Sequence, residues 1–450
     1  MDFSEWFSKV TGHETPRDWQ SQLAAATVLR DRLVNIPTGF GKTEGVLAAW
    51  SFHRIFKQND EWPRRLVWCL PMRVLVEQTA GVARAIVDRI SQMSVSGDPV
   101  RVHTLMGGET SQNAVDDWCL YPERPAVLIG TQDMLLSRAL NRGFGAGRAR
   151  WPMEFGLLNQ DALWVMDEVQ LMDVGLATSA QLQAFRGYDA NGGRSLRPCH
   201  TWWMSATLQP EWLKTVDTAS VVDEWIGCKT EPGGNDRESS LWQISKSLSA
   251  QDIAYDDQKH FAELIQERHT SLPQGEHGKI TLVVCNTVDR ACKTFETLAR
   301  LRIDAELHLV HSRFRPSERK GWREQFLSRA ACTPDVNRII VATQVVEAGV
   351  DISAGCLITE LAPWTAMVQR FGRCARYGGV GQIVVVNRGL SEKTAAPYES
   401  GELRSAWQAC QQITDAGVGG LESFEQSLTE GGRRELYPYK PANLLLRREF

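Results

Sequence analysis

The sequence predicts an α/β protein. We read two successive α/β domains, each a parallel sheet covered on both faces by helices, and then a small, mostly helical C-terminal segment. Two observations carry this. Continuous apolar runs of strand length alternate with helical patterns, which is how strands buried on both faces of a parallel sheet read. The alternation then dissolves around 217–238, where Gly233-Gly234-Asn235-Asp236 and flanking charges read as a linker or surface excursion, and restarts beyond it. The expected boundaries are 1–225 and 226–390, with the linker reaching about 240, and a segment 391–450.

In the first half the strand candidates are 33–36, 66–70, 100–104, 126–130, 162–167 and 200–205, with helices at 42–56, 75–93 and 176–184. The second half offers strands at 241–245, 280–285, 307–310, 339–342 and 382–386, with helices at 256–269, 288–301 and 317–328. After Asn387 the pattern turns helical and polar, at 402–412 and 421–429.

Length and composition bound the rest. A chain of 450 residues, 43% hydrophobic and 23% charged, has room for about two or three ordinary cores. A net charge of −4 gives no global basic field, although a nucleic-acid groove needs only local Lys and Arg. The start, Met1-Asp2-Phe3-Ser4-Glu5-Trp6, is acidic and lacks the basic region of a secretory signal, and no apolar run is long enough to span a bilayer. The ten cysteines are scattered without a Cys-x-x-Cys pair, which favours buried free thiols in a reducing cytoplasm.

The stretch Asn35-Ile36-Pro37-Thr38-Gly39-Phe40-Gly41-Lys42-Thr43-Glu44 carries the first chemistry. Gly39 and Gly41 let the backbone curl so that N–H groups point inward at phosphates. Lys42 brings a charge to the β- and γ-phosphates, and the Thr43 hydroxyl suits Mg²⁺. The helix starting there favours an anion at its N-terminus. Ile36 stands where the full pattern has glycine, so the match covers the phosphate-cradling half. An apolar strand, 162–167, then ends in Asp167-Glu168-Val169-Gln170. Beside a phosphate loop, Asp167 can hold Mg²⁺ through water and Glu168 can activate the attacking water. The bland reading is two solvated acids capping the next helix. Ser205-Ala206-Thr207 closes a further strand with small hydroxyl residues. In the second half, Arg373 and Arg376 lie i, i+3 on one helical face, an arrangement suited to arginine fingers, although a solvated basic face is commoner. Thr343 could donate to a nucleic-acid phosphate, and Asp351 could face the nucleotide sugar.

Taken in order, these motifs resemble a superfamily 2 helicase over roughly residues 17–390: two tandem RecA-like domains with ATP between them. The resemblance implies that Gln20 reads adenine (with Gln22 as fallback), that Thr38, Gly39, Gly41, Lys42, Thr43 and Asp351 bind nucleotide, and that Thr43 and Asp167 hold the metal. It implies Lys42, Asp167, Glu168, Arg373 and Arg376 in catalysis. Pro71-Met72-Arg73 and the following residues resemble motif Ia. Gly107-Gly108 and Gly130-Thr131-Gln132-Asp133 resemble the next strand-binding motifs. Motifs II, III, V and VI match 167–170, 205–207, 343–351 and 369–376. Strand contacts fall to Arg73, Thr131, Thr287, His311, Arg313 and Thr343. The loop 142–150, with Arg142, Arg148 and Arg150, either lines the channel or is a solvated basic loop.

Within the superfamily the chain is most similar to the CRISPR-associated helicase of type I interference systems, on His311-Ser312-Arg313-Phe314, on residues 347–353 and 364–376, and on the passage 137–145. Asp167-Glu168-Val169-Gln170 with Leu171-Met172 and Gly175-Leu176 resembles the subtype I-G (formerly I-U) branch; most relatives carry His where this chain has Gln170. The resemblance implies an ATP- and Mg²⁺-dependent, 3′ to 5′ single-stranded DNA translocase in the cytoplasm, recruited to a crRNA-guided type I effector complex and working with an HD nuclease. No histidine here is followed by Asp, so the nuclease is expected C-terminal to the chain or as a separate subunit. The run from Pro441 to Phe450 reads as a native end or as a cut inside a longer polypeptide. The alternative readings are a general DNA repair or RNA helicase of the superfamily, or an ATP-dependent clamp without turnover.

Overall fold

The computed structural model describes residues 1–93, 99–107, 118–143 and 146–439. The chain forms two compact units, one from Met1–Asp236 joined by Tyr439, the other from Arg237–Pro438.

The first unit holds β1 (Arg32–Asn35), β2 (Arg65–Leu70), β3 (Arg101–Leu105), β4 (Ala126–Thr131), β5 (Ala162–Asp167) and β6 (Cys199–Ser205). They form one parallel sheet in the order β1-β6-β5-β2-β4-β3. Every residue of β2, β4 and β5 is buried, which is why these strands read as unbroken apolar runs. Trp68, Trp164, Trp202 and Trp203 are fully enclosed by this sheet and its helices, so these tryptophans serve the core. Because β1, β6 and β5 are neighbours, their carboxyl ends lie side by side, and open parallel sheets bind ligands at that edge.

The second unit holds β7 (Lys246–Asp252), β8 (Lys279–Val284), β9 (Glu306–Val310), β10 (Asn337–Ala342), β11 (Cys356–Glu360) and β12 (Gly381–Asn387), again all parallel, in the order β7-β12-β11-β8-β10-β9. The architecture is that of tandem RecA-like domains.

Three sequence expectations need correction here. The strand expected at 241–245 begins only at Lys246, because the N–H groups of Trp242 and Gln243 turn back onto the Ser239 carbonyl. The sequence reading missed β11 altogether, although its run Cys356–Glu360 is entirely buried. The stretch 233–236 is a packed plug, not a free linker. The Asp236 carboxylate, 2% exposed, accepts from the N–H groups of Asp18, Trp19 and Gly233. It thereby caps the helix Asp18–Ala25 that carries Gln20.

The tail beyond β12 forms the helices Glu392–Ala395, Ser400–Gln412, Val418–Ser427 and Glu430–Leu436, and it belongs to the second unit as far as Pro438. Tyr439 belongs to the first, its hydroxyl donating to the Asp173 carbonyl and accepting from the Ala177 N–H. No described helix is long and apolar enough to cross a membrane. The run 441–450 lies outside the described residues, as do Gly108 and, within the 137–145 passage, Phe144 and Gly145.

Candidate nucleotide site

The first unit gathers the phosphate loop, the paired carboxylates and the hydroxyl residues at one sheet edge. Ile36 leaves β1 with its N–H on the Ser205 carbonyl, which ties the loop to the end of β6. Gly39 and Gly41 take φ of +91° and +72°. At Gly41 only glycine serves: a Cβ there would come within 2.9 Å of the Gln20 amide. The helix Lys42–Ser51 starts from Gly41 without a side-chain cap, leaving its first N–H groups for a ligand.

Gln20 clamps this loop from behind. Its amide donates to the Gly41 carbonyl at 3.0 Å and accepts from the Arg17 N–H at 2.8 Å. Trp19 donates to the Phe40 carbonyl, and the Arg17 guanidinium lies 4.6 Å from the Phe40 ring centroid. The helix holding the expected adenine reader therefore also fixes the shape of the phosphate loop. Thr38 and Thr43 are half-buried along it.

Lys42 reaches Glu168, with Nζ 3.3 Å from Oε1. Glu168 follows β5 with φ +53°, a left-handed conformation that a non-glycine residue adopts only when its surroundings enforce it. Its other oxygen accepts from the Gln170 amide at 2.7 Å; Gln170 in turn accepts from the Ser205 hydroxyl at 2.6 Å, and Ser205 lies 3.4 Å from the Thr207 hydroxyl. The result is a continuous polar chain Lys42–Glu168–Gln170–Ser205–Thr207. Asp167 sits beneath it, accepting from Trp68 Nε1 at 3.2 Å and from the Glu168 N–H at 2.9 Å. Burial pushes its carboxyl above the ordinary range, opposed by Lys42 and reinforced by Glu168. The Asp167 carboxylate and the Thr43 hydroxyl are hard oxygen donors of the kind that fits Mg²⁺.

In the second unit the arginines lie together around the loop after β10. Arg370, fully buried, donates to Glu347, Asn286, Thr359 and the Glu360 carbonyl. Arg373, 4% exposed, donates to the carbonyls of Val346, Glu347 and Val350. Arg376 pairs with Asp351 at 3.1 Å, while its buried Nη1 finds no partner among the described residues. Asp351 thus meets Arg376 here. The sequence did not single out Arg370 as the hub; its place inside Gln369-Arg370-Phe371-Gly372-Arg373 was the available signal.

The residues expected to touch a strand fall into two sets, one at or just beyond the carboxyl ends of β2 and β4, the other just beyond those of β8, β9 and β10. Arg73 is exposed at the start of the helix Arg73–Gln92, and Thr131 is buried ahead of the helix Gln132–Ala139. Thr287 caps the helix Val288–Leu301 by accepting from the Arg290 N–H. His311 is buried, stacked on Phe314 at 4.3 Å and 3.8 Å from the Cys292 thiol. Arg313 is exposed and pairs with Asp289 at 3.0 Å, and Thr343 is 2% exposed. In the basic loop, Arg142 and Arg148 are exposed, whereas Arg150 pairs with the buried Glu154.

Comparison with known proteins follows the same division. Residues 17–216 match the family model for DEAD/DEAH box helicases, and residues 277–379 match that for the C-terminal part of the CRISPR-associated nuclease/helicase Cas3. A CRISPR-associated helicase Cas3 of Thermoproteus tenax is 25% identical over 411 residues, spanning 88% of this chain and 62% of that protein. Together these matches support a superfamily 2 helicase of the Cas3 kind. A putative Cas3 nuclease/helicase of Myxococcus xanthus is 42% identical over 101 residues, 22% of this chain and 13% of that protein. The chain therefore spans only part of the length of the Cas3 relatives it matches. In fold, it is similar to the crystal structure of T. fusca Cas3 with AMPPNP, at a TM-score of 0.68 and 16% identity, covering 94% of this chain and 53% of that one. The two matched regions enclose every expected site residue, from Gln20 to Arg376.

Proposed function

We propose that this chain is the motor part of a CRISPR type I interference helicase, an ATP hydrolase that moves 3′ to 5′ along single-stranded DNA and unwinds the target. The observation that carries the reading is the geometry after β5: a general-base candidate, Glu168, held at 3.3 Å from the phosphate-loop lysine and directly above a buried metal-type carboxylate.

In this reading, Gln20 takes the adenine edge, and the N–H groups from Thr38 to Thr43 receive the phosphates. Lys42 exchanges Glu168 for the β- and γ-phosphates, which frees a carboxylate oxygen to accept the proton of the attacking water. Thr43 and Asp167 would hold Mg²⁺, which when bound neutralises charge on the triphosphate. Arg373 and Arg376 supply further positive charge to the transferred phosphoryl, and Asp351 faces the sugar. For this, Arg373 acts from its seat on the carbonyls of the 346–350 loop, and Arg376 must release Asp351. Hydrolysis removes the ligand that favours the engaged state, and the loss drives the step along the strand. Arg73, Thr131, Thr287, His311, Arg313 and Thr343 serve the strand, mainly through phosphate and sugar, because a motor tolerates any sequence.

We further infer a cytoplasmic setting, recruitment by a crRNA-guided effector complex, partnership with an HD nuclease, and the subtype I-G branch on the strength of Asp167-Glu168-Val169-Gln170. The test is strand-stimulated ATP turnover. Stimulation by single-stranded DNA supports the reading; stimulation by RNA alone overturns the DNA motor in favour of an RNA helicase.

A further inference from the structure

The tail beyond β12 places a tyrosine inside the arginine hub, and nothing in the motif pattern accounts for it. Arg370 has five N–H donors, all of which need partners at zero exposure. Nε and one Nη2 hydrogen go to Glu347, at 2.8 and 2.7 Å, and Nη1 faces Asn286, Thr359 and the Glu360 carbonyl. The remaining Nη2 hydrogen is taken by the phenol oxygen of Tyr398 at 3.3 Å. The same oxygen accepts from the Gln344 amide at 3.3 Å, and Gln344 also donates to the Asn286 carbonyl at 2.7 Å. Tyr398 therefore bridges the helix Trp364–Phe371 to the loop after β10.

That loop is what Arg373 rests on. Its three backbone acceptors, Val346, Glu347 and Val350, lie immediately beyond Gln344, and Glu347 is pinned through its side chain by Arg370. The tail is itself anchored: Arg290 donates to the Thr394 carbonyl at 2.6 Å while its other nitrogen pairs with Glu360 at 3.1 Å. A second tail tyrosine, Tyr437, accepts from Trp364 Nε1 at 2.9 Å, at the opposite end of the helix. The tail thus grips this helix at its first turn and at its last.

We propose that Tyr398 is a positioning residue for Arg373: through Arg370 and Gln344, its phenol oxygen sets the loop from which Arg373 acts, so that the tail beyond β12 is a brace on the arginine pair. The inference rests on the reading that Arg373 serves ATP turnover.

The test compares kcat and KM for ATP, with single-stranded DNA present, in the full chain and in Tyr398→Phe, Arg373→Lys and the double variant. Tyr398→Phe keeps the ring, and thermal melting checks that it folds. Losing one buried acceptor predicts a fall in kcat of about fivefold with KM within about twofold. Because the effect runs through Arg373, the double variant should turn over no more slowly than Arg373→Lys alone; a purely structural role would multiply the two losses. Gln344→Leu, which removes the other donor to the phenol, should lose a similar factor and should not multiply with Tyr398→Phe. An active wild type with Tyr398→Phe at its full rate, or multiplying losses, overturns the brace alone. An Arg373→Lys variant at the wild-type rate overturns the underlying reading of Arg373.

Discussion

Replacing Gln170 by alanine tests the polar chain that holds the proposed base. The residue donates to Glu168 at 2.7 Å and accepts from Ser205 at 2.6 Å. A hydrogen bond to a charged group contributes about 1.5–3 kcal/mol, and one between neutral groups about 1 kcal/mol. Glu168 also sits at φ +53°, a conformation that costs on the order of 1 kcal/mol for a non-glycine residue and that this bond helps to hold. If the bond to Glu168 acts mainly on its orientation, about 1.5–2 kcal/mol appears in the barrier, and kcat for ATP falls about 10- to 30-fold. KM should change little, since the phosphate loop is untouched. The loss of stability should be about 1–2 kcal/mol, with Ser205 keeping its link to Thr207. The assay is steady-state ATP turnover with saturating single-stranded DNA, alongside a thermal melt. A kcat within twofold of wild type would refute the argument that Gln170 orients the base.

Lys42→Ala should lower ATP turnover by at least about 100-fold while leaving the melting transition cooperative, because the lysine is half-buried and its ion pair with Glu168 lies at the edge of the sheet rather than in the core; normal hydrolysis would remove the phosphate-loop assignment. Asp236→Ala should cost about 2–3 kcal/mol in unfolding by denaturant, since three backbone N–H groups lose one buried charged acceptor; a change below about 0.5 kcal/mol would contradict the plug at 233–236. His269 gives a pH signature. Burial pushes its pKa down to about 4, where it bonds to Thr281 and Asn337. Between pH 6.5 and 4 the unfolded chain binds a proton that the folded chain refuses, so stability falls as pH is lowered through that window. Relative to His269→Gln, the wild type should lose about 1–2 kcal/mol more on going from pH 7 to pH 4.5, after allowance for solvent screening.

Much of this molecule was legible because its chemistry is local in sequence. The apolar runs of β2, β4 and β5 announce strands buried on both faces, and the glycines of the phosphate loop and the acids after β5 sit at fixed spacings that the chemistry demands. What could not be read depends on distant partners. Asp236 looks like one acid in a glycine-rich turn until Asp18 and Trp19 present their N–H groups to it. Tyr398 carries no local pattern, and only the fold brings it to Arg370. The short run of β11, five residues between two motif loops, is too brief to stand out from the polar motifs around it. The spacing of Arg373 and Arg376 predicted one helical face, but the helix ends at Phe371 and Ala375 takes φ +42°, so they share none. It gave no hint that the one is enclosed by backbone carbonyls and the other paired with Asp351.

The central claim is that the Glu168 carboxylate that follows β5 is the base of an ATP hydrolase, and single-turnover ATP hydrolysis by Glu168→Gln tests it most directly. The amide keeps the size of the side chain and can still accept from Gln170, but it cannot take a proton from water. The account predicts that this variant binds ATP and hydrolyses it at least about 100-fold more slowly than wild type. Hydrolysis at the wild-type rate, with binding intact, would contradict it.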